Sequence, residues 1–465
     1  MAALSPLFDA ELLRRYDKPG PRYTSYPTAP QFSPEFRAEQ LRQVAQATNA
    51  GASRPLSLYV HVPFCTSPCF YCGCNRIITR DHARGATYLE RLTREVAMLS
   101  PLFDRDRHVE QVHLGGGTPN FLTPAQIAGL LDTLRGNFSF AQGDRLDCSI
   151  ELDPRFVTPD DVAGLARAGF NRASLGVQDF DRDVQEAVNR VQGVDETLAI
   201  LRACRDYGMR SVNVDLIYGL PRQSLAGFAR TLDITLQARP DRLAVYSYAH
   251  LPALFRPQQR IHAEDLPSPE LKLELLRCAI EKLSEAGYVY IGMDHFALPG
   301  DELAVAQARG DLHRNFMGYT THADSDLIGF GVSAISHIGA SFSQNPRDIA
   351  EWERAIDAHH LPVWRGMQLD ADDRLRADVI QQLMCHGYID YAAIEQAHGI
   401  VFSEYFAPAL ERVLPLQADG LVELSERGLR ATPRGRMLLR VVAMCFDRYL
   451  PTTQAEGPSR FSRTV

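Results

Sequence analysis

From residue 56 to about residue 250, short runs of β-branched, aromatic and other apolar residues alternate with longer amphipathic stretches. The short runs predict strands over residues 56–62, 109–115, 145–152, 172–178, 211–219 and 242–249. The amphipathic stretches predict helices over residues 88–99, 124–138, 160–170 and 196–208. Repeated strand–helix units predict an α/β fold with a parallel sheet, which either closes partly into a barrel or lies open as a doubly wound sheet.

Polar or glycine-rich chemistry stands at or near the end of each predicted strand. In chain order it comprises a loop with four cysteines, then Gly115, Gly116, Gly117 and Thr118, then Glu151 and Asp153, Gln178, Asp215 and Ala249. Loops at the C-terminal ends of parallel strands converge on one face, and that face holds the active site. We therefore expect one site at the top of a partial (β/α)6 barrel of the TIM type.

The remaining segments differ in character from the predicted barrel, which spans residues 56–360. Residues 1–55 include the Pro-, Tyr- and Thr-rich stretch 21–30, which predicts an extended strap or lid. Residues 361–465 show a mainly helical pattern, and the stretch 419–440 predicts a two-stranded wing followed by a helix. We therefore expect three segments: a strap, a catalytic barrel and a winged-helix-like C-terminal domain.

Composition narrows the class of protein. The 465 residues carry a formal net charge of −8, which disfavours nucleic acid as a partner. No apolar run of about 18 residues predicts a membrane span, and the first residues show no secretory signal, so we expect a cytoplasmic protein. In that reducing compartment, clustered cysteines indicate metal or redox chemistry rather than disulfides.

Four of the nine cysteines, Cys65, Cys69, Cys72 and Cys74, lie in the spacing C-x3-C-x2-C-x-C. A structural zinc site usually draws ligand pairs from separate parts of a chain. Cys65, Cys69 and Cys72 suit three corners of a cubane iron–sulfur cluster, which leaves one iron open to a small molecule. Zinc and a four-cysteine electron carrier are the alternatives.

The motifs around this loop resemble a known family. C-x3-C-x2-C after the first strand of a βα barrel is similar to the radical S-adenosylmethionine superfamily, in which the cofactor chelates the open iron of a [4Fe-4S] cluster. YVHVPFC, CFYCGCNR, LGGGTP, SIELDPR, GVQDF, NVDLIYGLP, SYAHLP, GMDHFA and HRNFMGYTT together resemble oxygen-independent coproporphyrinogen III oxidases. The resemblance runs from residues 22–28 to residues 461–463.

That resemblance implies an oxidoreductase of haem (porphyrin) biosynthesis. A 5′-deoxyadenosyl radical removes hydrogen from two propionates of coproporphyrinogen III, which become vinyl groups and give protoporphyrinogen IX. The implied partners are an electron donor such as flavodoxin or ferredoxin and an unidentified electron acceptor, and the implied state is a monomer. A related group of haem-binding chaperones without this activity is the alternative, although that group lacks the Cys72-Gly73-Cys74 extension seen here.

The resemblance also implies roles for individual residues. Besides the iron ligands Cys65, Cys69 and Cys72, the residues that would bind two S-adenosylmethionine molecules are Tyr59, Tyr71, Gly116, Gly117, Thr118, Glu151, Gln178, Arg190, Asp215, Ala249 and Ile335. Tyr59 and Cys74 are the candidate catalytic residues, and Cys74 would lie near the second cofactor. The candidates for contacts with the substrate are Arg22, Arg76, Asp294, His295 and Arg314.

Overall fold

A computed structural model describes residues 8–50, 54–450 and 461–464. Its contacts group the chain into two compact units. Unit 1 comprises residues 1–31, 276–323 and 369–465, and unit 2 comprises residues 32–275 and 324–368. Parts of the predicted strap (1–7 and 51–53) and of the predicted C-terminal segment (451–460 and 465) lie outside the described residues. The division into three consecutive domains stays a prediction.

The strands are β1 Leu56–Val62, β2 Phe64–Cys65, β3 Ile77–Ile78, β4 His108–Gly116, β5 Ser139–Phe140, β6 Asp147–Leu152, β7 Arg172–Gln178, β8 Ser211–Tyr218, β9 Arg242–Ser247, β10 Val289–Gly292, β11 His295–Ala297, β12 His313–Asn315, β13 Gly318–Thr320, β14 Asp326–Phe330, β15 Ile335–Ile338, β16 Ser341–Gln344, β17 Arg365–Gln368, β18 Tyr388–Asp390, β19 Val422–Leu424 and β20 Gly428–Ala431. The helices are α1 Ala10–Tyr16, α2 Ala38–Ala47, α3 Ala83–Leu99, α4 Pro124–Asn137, α5 Pro159–Ala168, α6 Arg182–Ala187, α7 Val194–Asp206, α8 Leu225–Ala238, α9 Pro269–Glu285, α10 Glu302–Arg309, α11 Ile349–Asp357, α12 Ala371–His386, α13 Tyr391–His398, α14 Phe402–Tyr405, α15 Ala407–Ala418, α16 Pro433–Arg436 and α17 Leu439–Met444.

Unit 2 is built on the six strands that the sequence predicts. In the order β1, β4, β6, β7, β8 and β9, each strand pairs in parallel with the next strand of the series. An open doubly wound sheet would require this order to reverse at a switch point. The unbroken order confirms the partial-barrel alternative.

Alternating residues explain the place of β1 within the sheet. Leu56, Leu58, Val60 and Val62 are fully buried, and because they stand at every second position they share one face of the strand. The intervening positions, which include Tyr59, share the other face. Apolar packing therefore occupies one face of β1, and the opposite face is left for polar side chains near its C-terminal end.

Local sequence signals start the helices that return the chain to the next strand. Helices α4 and α5 both begin with proline after a threonine, at Thr123 and Thr158, and each threonine forms a reciprocal capping box with the residue three positions later. Helix α5 ends at Gly169, whose φ of 112° suits glycine. These caps confirm both predicted helices.

Strands β14 to β17 extend the sheet beyond β1, and the sequence analysis missed them. β14 pairs in parallel with β1, and β15, β16 and β17 follow as antiparallel neighbours. The buried carboxylate of Glu95 on α3 holds the added strands in place through hydrogen bonds. It accepts hydrogen bonds from Gly331 N–H at 2.7 Å and Trp352 Nε1 at 3.2 Å, close to the turn that leads into β15.

Unit 1 contains two short hairpins, β10–β11 and β12–β13, together with the helical C-terminal part of the chain. The predicted wing is confirmed, because β19 and β20 pair in antiparallel fashion and α16 and α17 follow them. β18 adds a third strand that was not predicted. No helix within the described ranges has both the length and the apolar character needed to cross a bilayer.

The N-terminal segment of unit 1 lies against the end of the chain. Gly20 N–H donates to Ser462 C=O at 3.1 Å, and Thr464 N–H donates to Lys18 C=O at 3.0 Å. Residues 21–28 have no helix or strand, but residues 24–27 form bends and Tyr23 has a φ of 48°, so the predicted extended strap stays a prediction.

Candidate active site

The cysteine loop leaves the C-terminal end of β1 and is closed by backbone hydrogen bonds. Ile77 N–H donates to Pro63 C=O at 2.7 Å, and Thr79 N–H donates to Cys65 C=O at 3.0 Å. The two-residue strands β2 and β3 pair in parallel across the same closure. Both ends of the loop are therefore fixed beside β1.

Arg76, a residue of this loop, stabilises it by hydrogen bonds to the loop backbone. Its guanidinium donates to the carbonyl oxygens of Cys69 at 3.1 Å and Cys72 at 3.3 Å. These contacts orient the backbone that carries two of the predicted iron ligands. The predicted contact between Arg76 and the substrate stays a prediction.

The sulfur atom of each predicted iron ligand accepts a hydrogen bond from a different part of the chain. The donors are Thr118 Oγ1 to Cys65 at 3.2 Å, the N–H of Cys74 to Cys72 at 3.4 Å, and the guanidinium groups of Arg155 and Arg190 to Cys69, both at 3.5 Å. Donors and cations beside sulfur favour the thiolate, which is the form that binds metal.

The thiols differ in how readily they ionise. Burial raises the pKa of Cys65 to about 11. The hydrogen bond with Cys74, assisted by the charge of Arg76, lowers the pKa of Cys72 to about 6. Cys74, which is exposed, has a raised pKa because it shares that hydrogen bond with the Cys72 sulfur. Cys72 is therefore the more acidic of this neighbouring pair.

Three aromatic side chains line the end of the sheet beside the loop. Tyr59 Oη lies 3.0 Å from His61 Nδ1, and His61 Nε2 lies 2.9 Å from the carbonyl oxygen of Asn75. The ring of Tyr59 also stacks on His113, with centroids 5.9 Å apart. The Tyr59 hydroxyl is thus connected through His61 to the Cys74–Asn75 part of the loop.

Glu151 is held at the end of β6 by contacts with β4. Its carboxylate accepts from Gly116 N–H at 3.1 Å and lies 3.4 Å from His113 Nε2. Burial acts to raise the pKa of Glu151, but these two contacts hold it below its usual value. Glu151 therefore carries a negative charge at the end of the sheet, where it could meet the amino group of a ligand.

The glycines after β4 serve close packing. Gly117 N–H donates to Val62 C=O at 2.8 Å, and a Cβ atom on Gly117 would lie 2.8 Å from the backbone carbon and oxygen of Pro63. At Gly116, which has a φ of +113°, a Cβ atom would lie 2.5 Å from the His61 ring. The N–H groups of Gly116 and Gly117 are therefore engaged within the protein, and the glycines let β4 approach the start of the cysteine loop.

This packing predicts opposite results for two Gly→Ala substitutions. Gly117→Ala should lower the free energy of unfolding by about 1–3 kcal/mol, because backbone atoms at Pro63 must move. It should also reduce iron uptake on reconstitution, because the cysteine loop begins there. Gly129→Ala on α4 has open space around it and should stabilise the protein by about 0.5–1 kcal/mol. Urea denaturation and iron analysis measure both, and equal stability of the two variants would contradict the packing account.

Arg190 is a buried member of an ion-pair network. Its Nη1 donates to Asp153 Oδ2 at 3.0 Å, and its Nη2 donates to Gly176 C=O at 2.5 Å. Arg155 also pairs with Asp153, at 2.7 Å. The predicted role of Arg190, to bind a cofactor carboxylate, stays a prediction, whereas the network already places its positive charge beside the Cys69 sulfur.

Two further predicted residues, Gln178 and Asp215, lie on β7 and β8. Gln178 ends β7 at an irregularity in the pairing and has a φ of +69°. Asp215 accepts hydrogen bonds from Asn213 Nδ2 at 2.8 Å and Ser174 Oγ at 3.1 Å. Burial, followed by the charge of Glu151, raises the pKa of Asp215 to about 6. The two carboxylates therefore belong to one electrostatic environment.

The other predicted cofactor residues would contribute mainly backbone atoms. Tyr71 is fixed because its carbonyl oxygen accepts from Gln258 Nε2 at 2.9 Å. Ala249 follows β9 and is half-buried, and Ile335 is the first residue of β15.

Four candidate substrate residues form a separate group in unit 1. Asp294 pairs with Arg22. Burial acts to raise the pKa of Asp294, but Arg22, His295 and Arg314 hold it below its usual value. These four charged or polar residues are therefore neighbours, although they come from distant parts of the chain.

His61, His113 and Arg155 also belong to this site and were not predicted from the sequence. A signal for the histidines was present, because His61 lies two residues after Tyr59 and His113 lies two residues before Gly115, each within a predicted strand. Their positions near the carboxyl ends of β1 and β4 could have marked them as site residues.

The residues present fit an iron–sulfur cluster with a bound cofactor. Three sulfur atoms with hydrogen-bond donors lie on one short loop, beside the carboxylates of Glu151 and Asp215 and a glycine turn that side chains would block. Within the part of the chain that the structure describes, no group of three or more His, Cys, Asp or Glu side chains is arranged around a single metal ion.

Comparison with known proteins agrees with this arrangement. The model of the Radical SAM superfamily matches residues 59–234, and the model of the HemN C-terminal domain matches residues 369–438. A solved structure reported as "Coproporphyrinogen III oxidase (HemN) from Escherichia coli is a Radical SAM enzyme" superimposes with a TM-score of 0.91. That chain is 47% identical, and the match covers 95% of this chain and 99% of the other.

Curated relatives match over nearly their whole length. The oxygen-independent coproporphyrinogen III oxidase of Pseudomonas aeruginosa is 51% identical over 462 residues, which cover 98% of this chain and 99% of the relative. The oxygen-independent coproporphyrinogen III oxidase of Escherichia coli (strain K12) is 47% identical over 458 residues, which cover 98% of each. This chain therefore belongs to the oxygen-independent coproporphyrinogen III oxidase family of the radical SAM superfamily.

Proposed function

We propose that this chain oxidises coproporphyrinogen III without dioxygen. Two propionate side chains become vinyl groups, and the product is protoporphyrinogen IX, a precursor in haem biosynthesis. The observation that carries the proposal is 51% identity to a named coproporphyrinogen III oxidase across 98% of the chain, together with the loop that carries Cys65, Cys69 and Cys72.

The reaction balances in simple terms. Each propionate loses one hydrogen atom from its β-carbon, carbon dioxide from its carboxylate and one electron, and the remaining two carbons form the vinyl group. When bound, a [4Fe-4S] cluster with S-adenosylmethionine supplies a carbon-centred radical that can remove hydrogen from such an unactivated C–H bond. The protein must hold these groups and exclude water.

The residues at the end of the sheet supply that positioning. Cys65, Cys69 and Cys72 would hold the cluster through their thiolates, with Thr118 and Arg190 as hydrogen-bond donors to sulfur. Glu151 and Asp215 suit the amino and ribose groups of S-adenosylmethionine, because Glu151 is negatively charged and the carboxylate of Asp215 lies within its electrostatic influence. The remaining contacts would come from Tyr59, Tyr71, Gly116, Gly117, Gln178, Ala249 and Ile335.

A second S-adenosylmethionine is part of the proposal, with Cys74 beside it. Cys74 is exposed, and its backbone N–H is bonded to the Cys72 sulfur. Its exposed thiol would therefore be open to a neighbouring molecule once the Cys72 sulfur, with which it shares a hydrogen bond, binds iron.

The partners follow from the reaction. Flavodoxin or ferredoxin would reduce the cluster, and a separate acceptor would take one electron for each vinyl group. We propose a monomer that works in the cytoplasm, where a reducing environment keeps its nine free cysteines as thiols.

Analysis of product mass tests the function. The cluster is reconstituted without oxygen and supplied with reductant, S-adenosylmethionine, coproporphyrinogen III and an electron acceptor. We expect a porphyrin that has lost two carbon dioxides and four hydrogens. Unchanged substrate from a protein with a complete cluster, together with stable binding of haem, would instead support a chaperone without dehydrogenase activity.

A further inference from the structure

Arg314 on β12 is a buried cation that is only partly satisfied. The residue is 5% exposed. Its Nε and Nη1 atoms have no hydrogen-bond acceptor among the described residues. Its backbone is fixed, because the carbonyl oxygen accepts from Gln381 Nε2 at 3.2 Å. Buried donors without acceptors are costly and rare in folded proteins, so this guanidinium requires an explanation.

A neighbouring ring orients the guanidinium. Arg314 and Tyr319 are cross-strand partners in the β12–β13 hairpin, and the guanidinium lies 4.9 Å from the centre of the Tyr319 ring. Tyr319 is itself held, since its hydroxyl donates to Met384 C=O at 3.1 Å. Stacking occupies a face of the guanidinium and leaves its N–H edge for a planar anion.

Positive charge is in excess around Arg314. The carboxylate of Asp294 is already paired with Arg22. Among the described residues, the nearby Arg440 donates to oxygens of residues 20, 21, 462 and 463, none of which belongs to a carboxylate. Burial, followed by repulsion from Arg22, lowers the pKa of Arg440 to about 10. The carboxylate of Asp294 thus faces three arginines, Arg22, Arg314 and Arg440, and an added anion would relieve this excess of positive charge.

We propose that Arg314 anchors the carboxylate of a substrate propionate that the reaction leaves intact. This inference rests on the function proposed above. A reacting propionate loses its negative charge as carbon dioxide departs, so a buried guanidinium would stabilise its ground state more than its transition state. A retained propionate keeps its charge throughout, and anchoring it does not oppose the reaction.

Binding of two stable porphyrins distinguishes contact with a retained propionate from contact with a reacting one. Coproporphyrin III carries all four propionates, whereas protoporphyrin IX carries only the two that are retained. We expect Arg314→Met to weaken binding of both porphyrins by the same factor, about 10- to 100-fold, which corresponds to the loss of hydrogen bonds to a charged group. Arg314→Lys, which keeps the charge but not the planar fork, should recover part of the affinity. In steady-state assays the substitution should raise KM more than it lowers kcat.

Arg430→Met is the matched control. Arg430 also stacks on a cross-strand tyrosine, Tyr388, at 4.5 Å, but it is exposed. Its replacement should leave the binding of both porphyrins within about twofold of wild type, because an exposed arginine already has water as its partner.

Four results would overturn the inference. If Arg314→Met weakened the binding of coproporphyrin III alone, Arg314 would contact a reacting propionate. Unchanged binding of both porphyrins by Arg314→Met would show that Arg314 anchors neither. Absence of porphyrin binding by the wild type would also contradict the proposed anchor. A merely structural Arg314 would show itself as a large fall in the urea midpoint of the ligand-free Arg314→Met variant, whereas we expect no fall, because a buried, unpaired charge is removed. Turnover by the wild type reports separately on the proposed function.

Discussion

Replacing Cys65, Cys69 or Cys72 singly with alanine should abolish both the iron–sulfur cluster and turnover. Each sulfur lies on the closed loop after β1 and has its own hydrogen-bond donor, so no other thiol can take its place without moving the backbone. Iron and sulfide content, the visible absorption of the reconstituted protein and product formation measure the effect. We expect all of them to fall to background.

The matched controls use cysteines outside that set. Cys148 on β6 and Cys204 on α7 are buried, and their replacement by alanine should retain the cluster at a cost of about 1 kcal/mol of stability. Cys74→Ala should also keep its iron. Loss of iron from Cys74→Ala as well would favour a cluster with four protein thiolates, and full iron content in Cys65→Ala would contradict the ligand set.

Arg107→Met should lower the free energy of unfolding by about 3–5 kcal/mol, because it removes the closely paired cation of a buried carboxylate and leaves it the longer contact of 3.9 Å with Arg54 Nη1. Arg107 and Asp326 are 1% and 2% exposed, and Arg107 Nη2 donates to Asp326 Oδ2 at 2.5 Å. Asp326 begins β14, which pairs with β1, so the ion pair secures the sheet on which the cysteine loop depends. Urea denaturation measures the change.

Two further variants isolate the buried charge as the cause. The double variant Arg107→Met/Asp326→Leu should recover most of the lost stability, because no unpaired charge remains. Arg91→Met removes an ion pair with Asp357 in which the Arg91 side chain is 21% exposed and the Asp357 side chain is 43% exposed. This variant should lose no more than about 1 kcal/mol of stability. A double variant as unstable as Arg107→Met would show that packing, and not the unpaired charge, is responsible.

The strands of the barrel could be predicted because their signal is local. Each of the six strands is a short apolar run bounded by turn residues, and the structure reproduces their bounds within a few residues. β14 to β17 could not be found in this way. They are short, they lie outside the alternating strand–helix pattern, and β14 is defined by its pairing with β1, about 270 residues earlier.

The site shows the same division between local and distant information. The cysteine spacing and the polar strand ends stand in consecutive residues, and the sequence identifies them. The partners that fix these residues are distant in the sequence. Arg190 donates to Asp153, which lies 37 residues away, and Glu151 accepts from Gly116, which lies 35 residues away. At Gly117 the motif was recognised, but its reason was not, because close contact with Pro63 exists only in the folded chain.

The most direct test follows one hydrogen atom. Coproporphyrinogen III that carries deuterium at the β-carbons of its propionates is converted by the reconstituted protein, and the 5′-deoxyadenosine formed is analysed by mass. The account predicts deuterium in 5′-deoxyadenosine, one atom for each vinyl group made. Formation of protoporphyrinogen IX with unlabelled 5′-deoxyadenosine would contradict it, because hydrogen would then leave the propionate by another route.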